Sequence, residues 1–175
     1  MTITVRSVRP LLSGLAAACV LSAGLAHAAV YSNGTATATF DTTMTIVANC
    51  IISASALDFG QAQGVLSSSV SATSALSVTC TNTTPYNVGL NAGTGAGSST
   101  SARLMSGTGG NTSTVAYNLM QTAGGVNWGD IQGTDTKSGT GTGSAQTLTV
   151  YGVVPPQSTP QPDTYKSTIT ATVYF

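Results

Sequence analysis

The 175-residue chain contains no glutamate, and its ten formal charges are five Lys/Arg and five Asp. At 6% charged residues it is far below the roughly 25% of an ordinary soluble domain. The charges cancel, which removes the basic footprint that nucleic-acid binding needs. Scarce Glu, Lys and Arg also argue against a long helical protein. There is one His, His27, and there are three Cys. Thr, Ser, Gly, Ala and Val fill the space, a composition that favours strands and loops. The length allows one domain with a real core.

The first 28 residues read as a secretory signal peptide. Arg6 and Arg9 form a positive start, Leu11 to Leu25 an apolar run, and Ala26-His27-Ala28 a small-x-small cleavage site. The run is short for a membrane span. Removal of this leader takes away His27 and Cys19 and leaves Arg103, Lys137 and Lys166 against Asp41, Asp58, Asp130, Asp135 and Asp163. Two Cys then remain, Cys50 and Cys80, and an exported chain pairs them as one disulfide. The loop-closure model gives about 3.6 kcal/mol for a crosslink of that span.

The mature inventory leaves little for catalysis. Without His, Glu or a free thiol, neither a Ser-His-Asp nor a Cys-His arrangement can be built, nor a zinc site of His and Cys. Asp130 and Asp135 are the nearest acids, in Gly-rich sequence without EF-hand spacing. Gly93-x-Gly95-x-Gly97 lacks the strand–helix context of a dinucleotide loop. The expectation is no enzyme, no cofactor and no metal. Trp128 reads as a core or loop anchor, and Arg103 by default as a surface residue.

Period-two alternation recurs along the mature chain. It links Val70, Ala72, Leu76, Val78 and Cys80; then Tyr86, Val88 and Leu90; then Val115, Tyr117 and Leu119; then Leu148, Val150, Gly152 and Val154. The C-terminus reads as one strand, with Tyr165, Ile169, Ala171, Val173 and Phe175 on one face and Thr168, Thr170, Thr172 and Tyr174 on the other. Residues 91–113 and 133–144 are mostly Gly, Ser and Thr and read as loops. The pattern predicts an all-β antiparallel sandwich.

The N-terminus alternates too. Even positions from Val30 through Gly34, Ala36, Ala38, Phe40, Met44 and Ile46 to Cys50 are small or apolar, and the odd ones largely polar. A single strand from 30 to 50 would be about 66 Å long, against about 20 Å in ordinary sandwiches. The segment must bend and pair twice, or send its first half elsewhere. Asp41-Thr42-Thr43 is the expected break.

The order of motifs resembles the spore coat protein U domain family, to which subunits of archaic (Csu-type) chaperone–usher pili belong. The residues that carry the resemblance are Asn49-Cys50, Leu57-Asp58-Phe59-Gly60, Leu76-Ser77-Val78-Thr79-Cys80 and Tyr86-x-Val88-x-Leu90-x-Ala92-Gly93. Arg103-Leu104-Met105, Tyr117-Asn118-Leu119, Trp128-Gly129-Asp130, Val150-Tyr151-Gly152-Val153-Val154-Pro155 and the segment from Tyr165 to Phe175 follow. One departure is Pro162-Asp163, where the pattern has Gly after Pro.

The resemblance implies an incomplete immunoglobulin-like sandwich that lacks its last strand and is completed by donor-strand exchange. In that reading residues 29–42 are a donor segment, presenting Val30, Ala36, Ala38 and Phe40, and residues 43–175 are the sandwich. Tyr165, Ile169, Ala171, Val173 and Phe175 would line the acceptor groove and bind the chaperone. The implied partners are neighbouring pilus subunits, a periplasmic chaperone and an outer-membrane usher, with no nucleic acid. The implied location is an extracellular pilus reached through the periplasm, serving adhesion and biofilm formation. A tip adhesin that binds a surface or carbohydrate, and a non-polymerising secreted coat protein, are the alternatives.

Overall fold

The computed structural model describes residues 34–61 and 66–175. The signal-peptide reading, and Val30 of the N-terminal segment, lie outside the described residues. The chain divides into two units, Met1–Thr43 and Met44–Phe175. The described part of the first, residues 34–43, has no secondary structure and is exposed throughout.

The second unit is all-β among its described residues. Its strands are β1 (Cys50–Ala54), β2 (Val70–Cys80), β3 (Pro85–Leu90), β4 (Arg103–Gly107), β5 (Thr114–Met120), β6 (Lys137–Thr140), β7 (Gln146–Val154), β8 (Tyr165–Lys166) and β9 (Ala171–Tyr174). Six form one sheet, in the order β1-β2-β7-β5-β4-β8, and three form the other, β6-β3-β9. Every pairing is antiparallel.

The alternation read from the sequence is the core. Leu76, Val78 and Cys80 of β2, Tyr86, Val88 and Leu90 of β3, Val115, Tyr117 and Leu119 of β5, and Val150 and Val154 of β7 are buried together. Period-two spacing sends each set to one sheet face, and the two faces meet. Trp128 is fully buried and donates its indole N–H to the Val88 carbonyl at 2.6 Å. Cys50 pairs with Cys80 across β1 and β2, with Cα atoms 4.1 Å apart and the sulfurs bonded. The disulfide thus pins the start of the sandwich to the end of its longest strand.

Three expectations need correction. The C-terminal strand is not continuous. β8 pairs with β4 in the large sheet, residues 167–170 cross over, and β9 pairs with β3 in the small one. Arg103 is not on the surface: it is 1% exposed. The two Gly/Ser/Thr-rich stretches are not wholly loop, because they contain β4 and β6.

Arg103 and the crossover are connected. The guanidinium donates to four backbone carbonyls: Nε to Asn91 at 2.9 Å, one terminal nitrogen to Thr100 at 2.8 Å, and the other to Leu90 at 2.7 Å and Trp128 at 2.6 Å. With its carbonyl engaged, Asn91 uses its side-chain oxygen to accept the Thr170 N–H at 2.9 Å. The Asn91 N–H donates in return to the Thr170 carbonyl at 3.1 Å. Thr94 accepts the Thr168 N–H through its hydroxyl, and Ser167 accepts the Thr94 N–H. Beyond the backbone bond from Asn91 to Thr170, side chains take the place of ladder partners, which lets the chain change sheets.

Candidate strand-acceptor groove

A groove runs beside the crossover. Its first compartment, about 470 Å³, is walled by residues 54–57, from the last residue of β1 onward, on one side and by residues 166–169 and Ala171 on the other. Leu90, Tyr117, Leu119 and Val150 form its floor. A second compartment of about 930 Å³ continues along the Pro160–Tyr165 segment and is lined by Leu66, Val115 and Val154. The two meet at Leu57, Phe59 and Met105, which border both. Leu57 and Phe59 lie over Gly152 of β7, where a Cβ would come within 2.8 Å of each, so Gly is required for their seat. Phe59 also meets the Tyr117 ring edge-on at 6.2 Å.

The strand edges at the groove can be read from the register. Asn91 and Thr170 form a hydrogen-bonded position in the β3–β9 ladder. Antiparallel ladders alternate such positions, so Thr172 and Tyr174 also face β3. Ala171 and Val173 therefore turn their N–H and C=O groups away from it. Leu90, opposite Ala171, agrees, since its N–H goes to the Gly129 carbonyl at 2.8 Å instead. At the two ends of β1, the Ser55 N–H just after it donates to the Ala75 carbonyl, and the Asn49 carbonyl just before it accepts the Thr81 N–H. By the same alternation Cys50, Ile52 and Ala54 direct their backbone groups outward. Among the described strands, β1 pairs with β2 alone and β9 with β3 alone. Both edges bordering the gap between the sheets thus offer backbone groups to a further strand.

The five C-terminal residues are brought together unequally. Ile169 and Ala171 line the first compartment. Tyr165 lines the second, in the other sheet, and its hydroxyl donates to the Gln161 carbonyl at 2.6 Å. Val173 packs against the core from β9, where β1 and β9 approach each other. Phe175 is 58% exposed, one residue past β9. In the N-terminal segment Ala36 and Ala38 are exposed and Phe40 is 85% exposed. Met44, Ile46 and Val47, which precede β1, are exposed as well.

Sequence reasoning missed Leu57 and Phe59 as groove residues, although their alternate spacing in Leu57-Asp58-Phe59 was a usable sign. It also missed Tyr117 as a polar group at the groove. The Tyr117 ring is 4% exposed, and among the described residues its hydroxyl is the buried side-chain polar atom with no hydrogen-bond partner. Burial raises its pKa, opposed by the adjacent Ser167 side chain, which lies near enough to hydrogen-bond to it in a looser geometry, and by the charge of Arg103. Arg103 is pushed the other way, downward, by its own burial.

The Spore Coat Protein U domain profile matches residues 36–172, which takes in all nine strands but the last two residues of β9. The chain belongs to the spore coat protein U domain family. No curated protein matches it. Among solved structures it is similar to a chain of the CsuC–CsuE chaperone–tip adhesion subunit pre-assembly complex, from archaic chaperone-usher Csu pili of Acinetobacter baumannii. The identity is 21% and the TM-score 0.56, over 75% of this chain and 41% of the matched one. This chain therefore spans about two fifths of the length of that relative, and the likeness is one of fold.

Proposed function

We propose that this family member is a structural subunit of an archaic chaperone–usher pilus that polymerises by donor-strand exchange. The observation that carries the reading is the groove between two sheet edges whose backbone groups point into the gap. Strand addition supplies hydrogen bonds from the backbone and register from alternate side chains. The occupant in the fibre is the N-terminal segment of the next copy, residues 29–42, presenting Val30, Ala36, Ala38 and Phe40. Burying Val30 and Phe40 contributes roughly 3–6 kcal/mol as an upper figure. Ile169, Ala171 and Val173 form the centre of the acceptor, flanked by Tyr165 and Phe175.

Before assembly a periplasmic chaperone holds the same groove, and an outer-membrane usher exports the subunit to an extracellular fibre serving adhesion and biofilm formation. The related complex, which joins a chaperone to a tip adhesion subunit, supports the chaperone step. The role is mechanical and not catalytic, in keeping with a mature chain that has no His and no Glu.

Two substitutions separate the two sides of the exchange. Phe40→Asp is expected to block fibre growth and leave chaperone capture intact. Ile169→Asp is expected to impair both. Co-purification with the chaperone and electron microscopy of surface fibres read the two outcomes. Unchanged fibres after deletion of residues 29–42 would refute the donor role. A monomer that unfolds on that deletion would instead place the segment in its own groove, as a secreted coat protein requires.

A further inference from the structure

An incoming strand can slide along the groove in steps of two residues and keep its apolar face inward. Something besides apolar burial has to select one position. Every strand pairing in the sandwich is antiparallel, and a strand added in that sense to the free edge of β9 continues the pattern. Counted antiparallel along the chain, the even-numbered, inward side chains of residues 29–42 fall opposite the odd-numbered C-terminal ones. At one position Gly34 meets Val173, Ala36 meets Ala171, Ala38 meets Ile169 and Phe40 meets Ser167. No two large side chains then oppose each other, and Phe40 enters the first compartment beside Ser167. A slip of two residues one way sets Phe40 against Ile169. A slip the other way sets it against Tyr165 and leaves Ala38 facing Ser167.

The position that matches side-chain sizes also sets Asp41 opposite Lys166. Asp41 is the one charged side chain of residues 29–42, and it is exposed. Lys166 is exposed at the rim of the first compartment. The other two cations of the mature chain are engaged elsewhere: Arg103 with four carbonyls, and Lys137, in β6, with the Gln121 carbonyl at 3.0 Å. We propose that Asp41 of one copy pairs with Lys166 of the copy whose groove receives it, and that this pair selects the register. The inference rests on the strand-exchange reading and names the charges that align the strand. A slip of two residues brings Asp41 opposite Thr164 or Thr168, and neither carries a charge. An exposed ion pair is weak in isolation. It nevertheless discriminates between registers that apolar burial treats alike, and it speeds the encounter of strand and groove.

The test is a charge exchange on fibres assembled from the full chain, comparing wild type, Asp41→Lys, Lys166→Asp and the double variant. The readout is the rate of subunit dissociation in urea at low and at high salt. Each single variant sets like charges opposite each other and is expected to dissociate roughly fivefold faster at low salt, with most of the difference gone at about 1 M salt. The double variant restores the pair in reverse and is expected within about twofold of wild type. A merely structural lysine would show no such rescue. Cysteine pairs read the register without charge: Asp41→Cys with Lys166→Cys is expected to crosslink neighbouring copies in the fibre, ahead of Asp41→Cys with Thr164→Cys or Thr168→Cys. A double variant no more durable than the single ones, preferred crosslinking through Thr164 or Thr168, or rescue of Lys166→Asp by Asp58→Lys instead, would overturn the pair and leave strand exchange standing. Wild-type chains that form no fibre dependent on residues 29–42 would overturn strand exchange, and the pair with it.

Discussion

Arg103 is the residue on which several backbone groups depend. Its four acceptors are carbonyls from β3, the following loop and the Trp128 segment. A planar five-donor fork meets them at once, and a lysine ammonium cannot. Arg103→Met is expected to cost about 3 kcal/mol or more, because the buried carbonyls lose a charged donor. Arg103→Lys should recover little of that, as equilibrium urea unfolding of the monomer would measure. Burial also raises the pKa values of Tyr86 and Tyr117. A raised folded value means the fold retains these protons longer than the unfolded chain. Their contribution is complete below the ordinary tyrosine value of 10.0 and is lost as pH rises through the folded values. Stability is therefore expected to fall above about pH 10, and Tyr117→Phe should blunt that fall in a series of thermal melts.

At the scale of elements, the free edge of β9 makes a directional prediction. The Val173 N–H points away from β3, so Val173→Pro removes no bond of that ladder and the sandwich should persist. Thr172→Pro removes a ladder donor and should destabilise the sandwich itself. If strand addition uses this edge, Val173→Pro should abolish fibres while circular dichroism remains native-like. The elements also differ in how legible they were. β2, β3, β5 and β7 were evident because each carries its own apolar alternation, and these strands supply most of the core. β6 was hidden, since Lys137-Ser138-Gly139-Thr140 has no apolar side chain to show. Its packing comes from across the ladder, where Tyr86 pairs with Gly139 and its ring occupies the space of the missing Cβ. Gly139→Val is accordingly expected to cost roughly 1–3 kcal/mol. The crossover in the C-terminal strand was hidden for another reason. It is set by Arg103 and Asn91, many residues upstream, while the local alternation continues unbroken through it. The groove was legible only as an apolar C-terminal face. Its other wall, with Leu57 and Phe59, is formed by a segment whose alternation spans only three residues, too few to stand out as a strand.

For the whole molecule, the disulfide bears on both stability and connection. Reduction should cost about 3.6 kcal/mol by the loop-closure model, visible as a lower urea midpoint in the presence of reductant. Its position has a second consequence, concerning force. Any pull on the N-terminal segment enters the sandwich at Cys50, the first residue of the edge strand β1. Without the crosslink, that load would peel β1 from β2 one hydrogen bond at a time, the weakest way to strain a sheet. With it, tension passes through sulfur to Cys80 and so into β2, an 11-residue strand held between β1 and β7. The edge strand is then bypassed, and rupture requires the interior of the large sheet to fail together. Single-molecule stretching of tandem subunits should show a high rupture force when oxidised and an early, gradual extension when reduced.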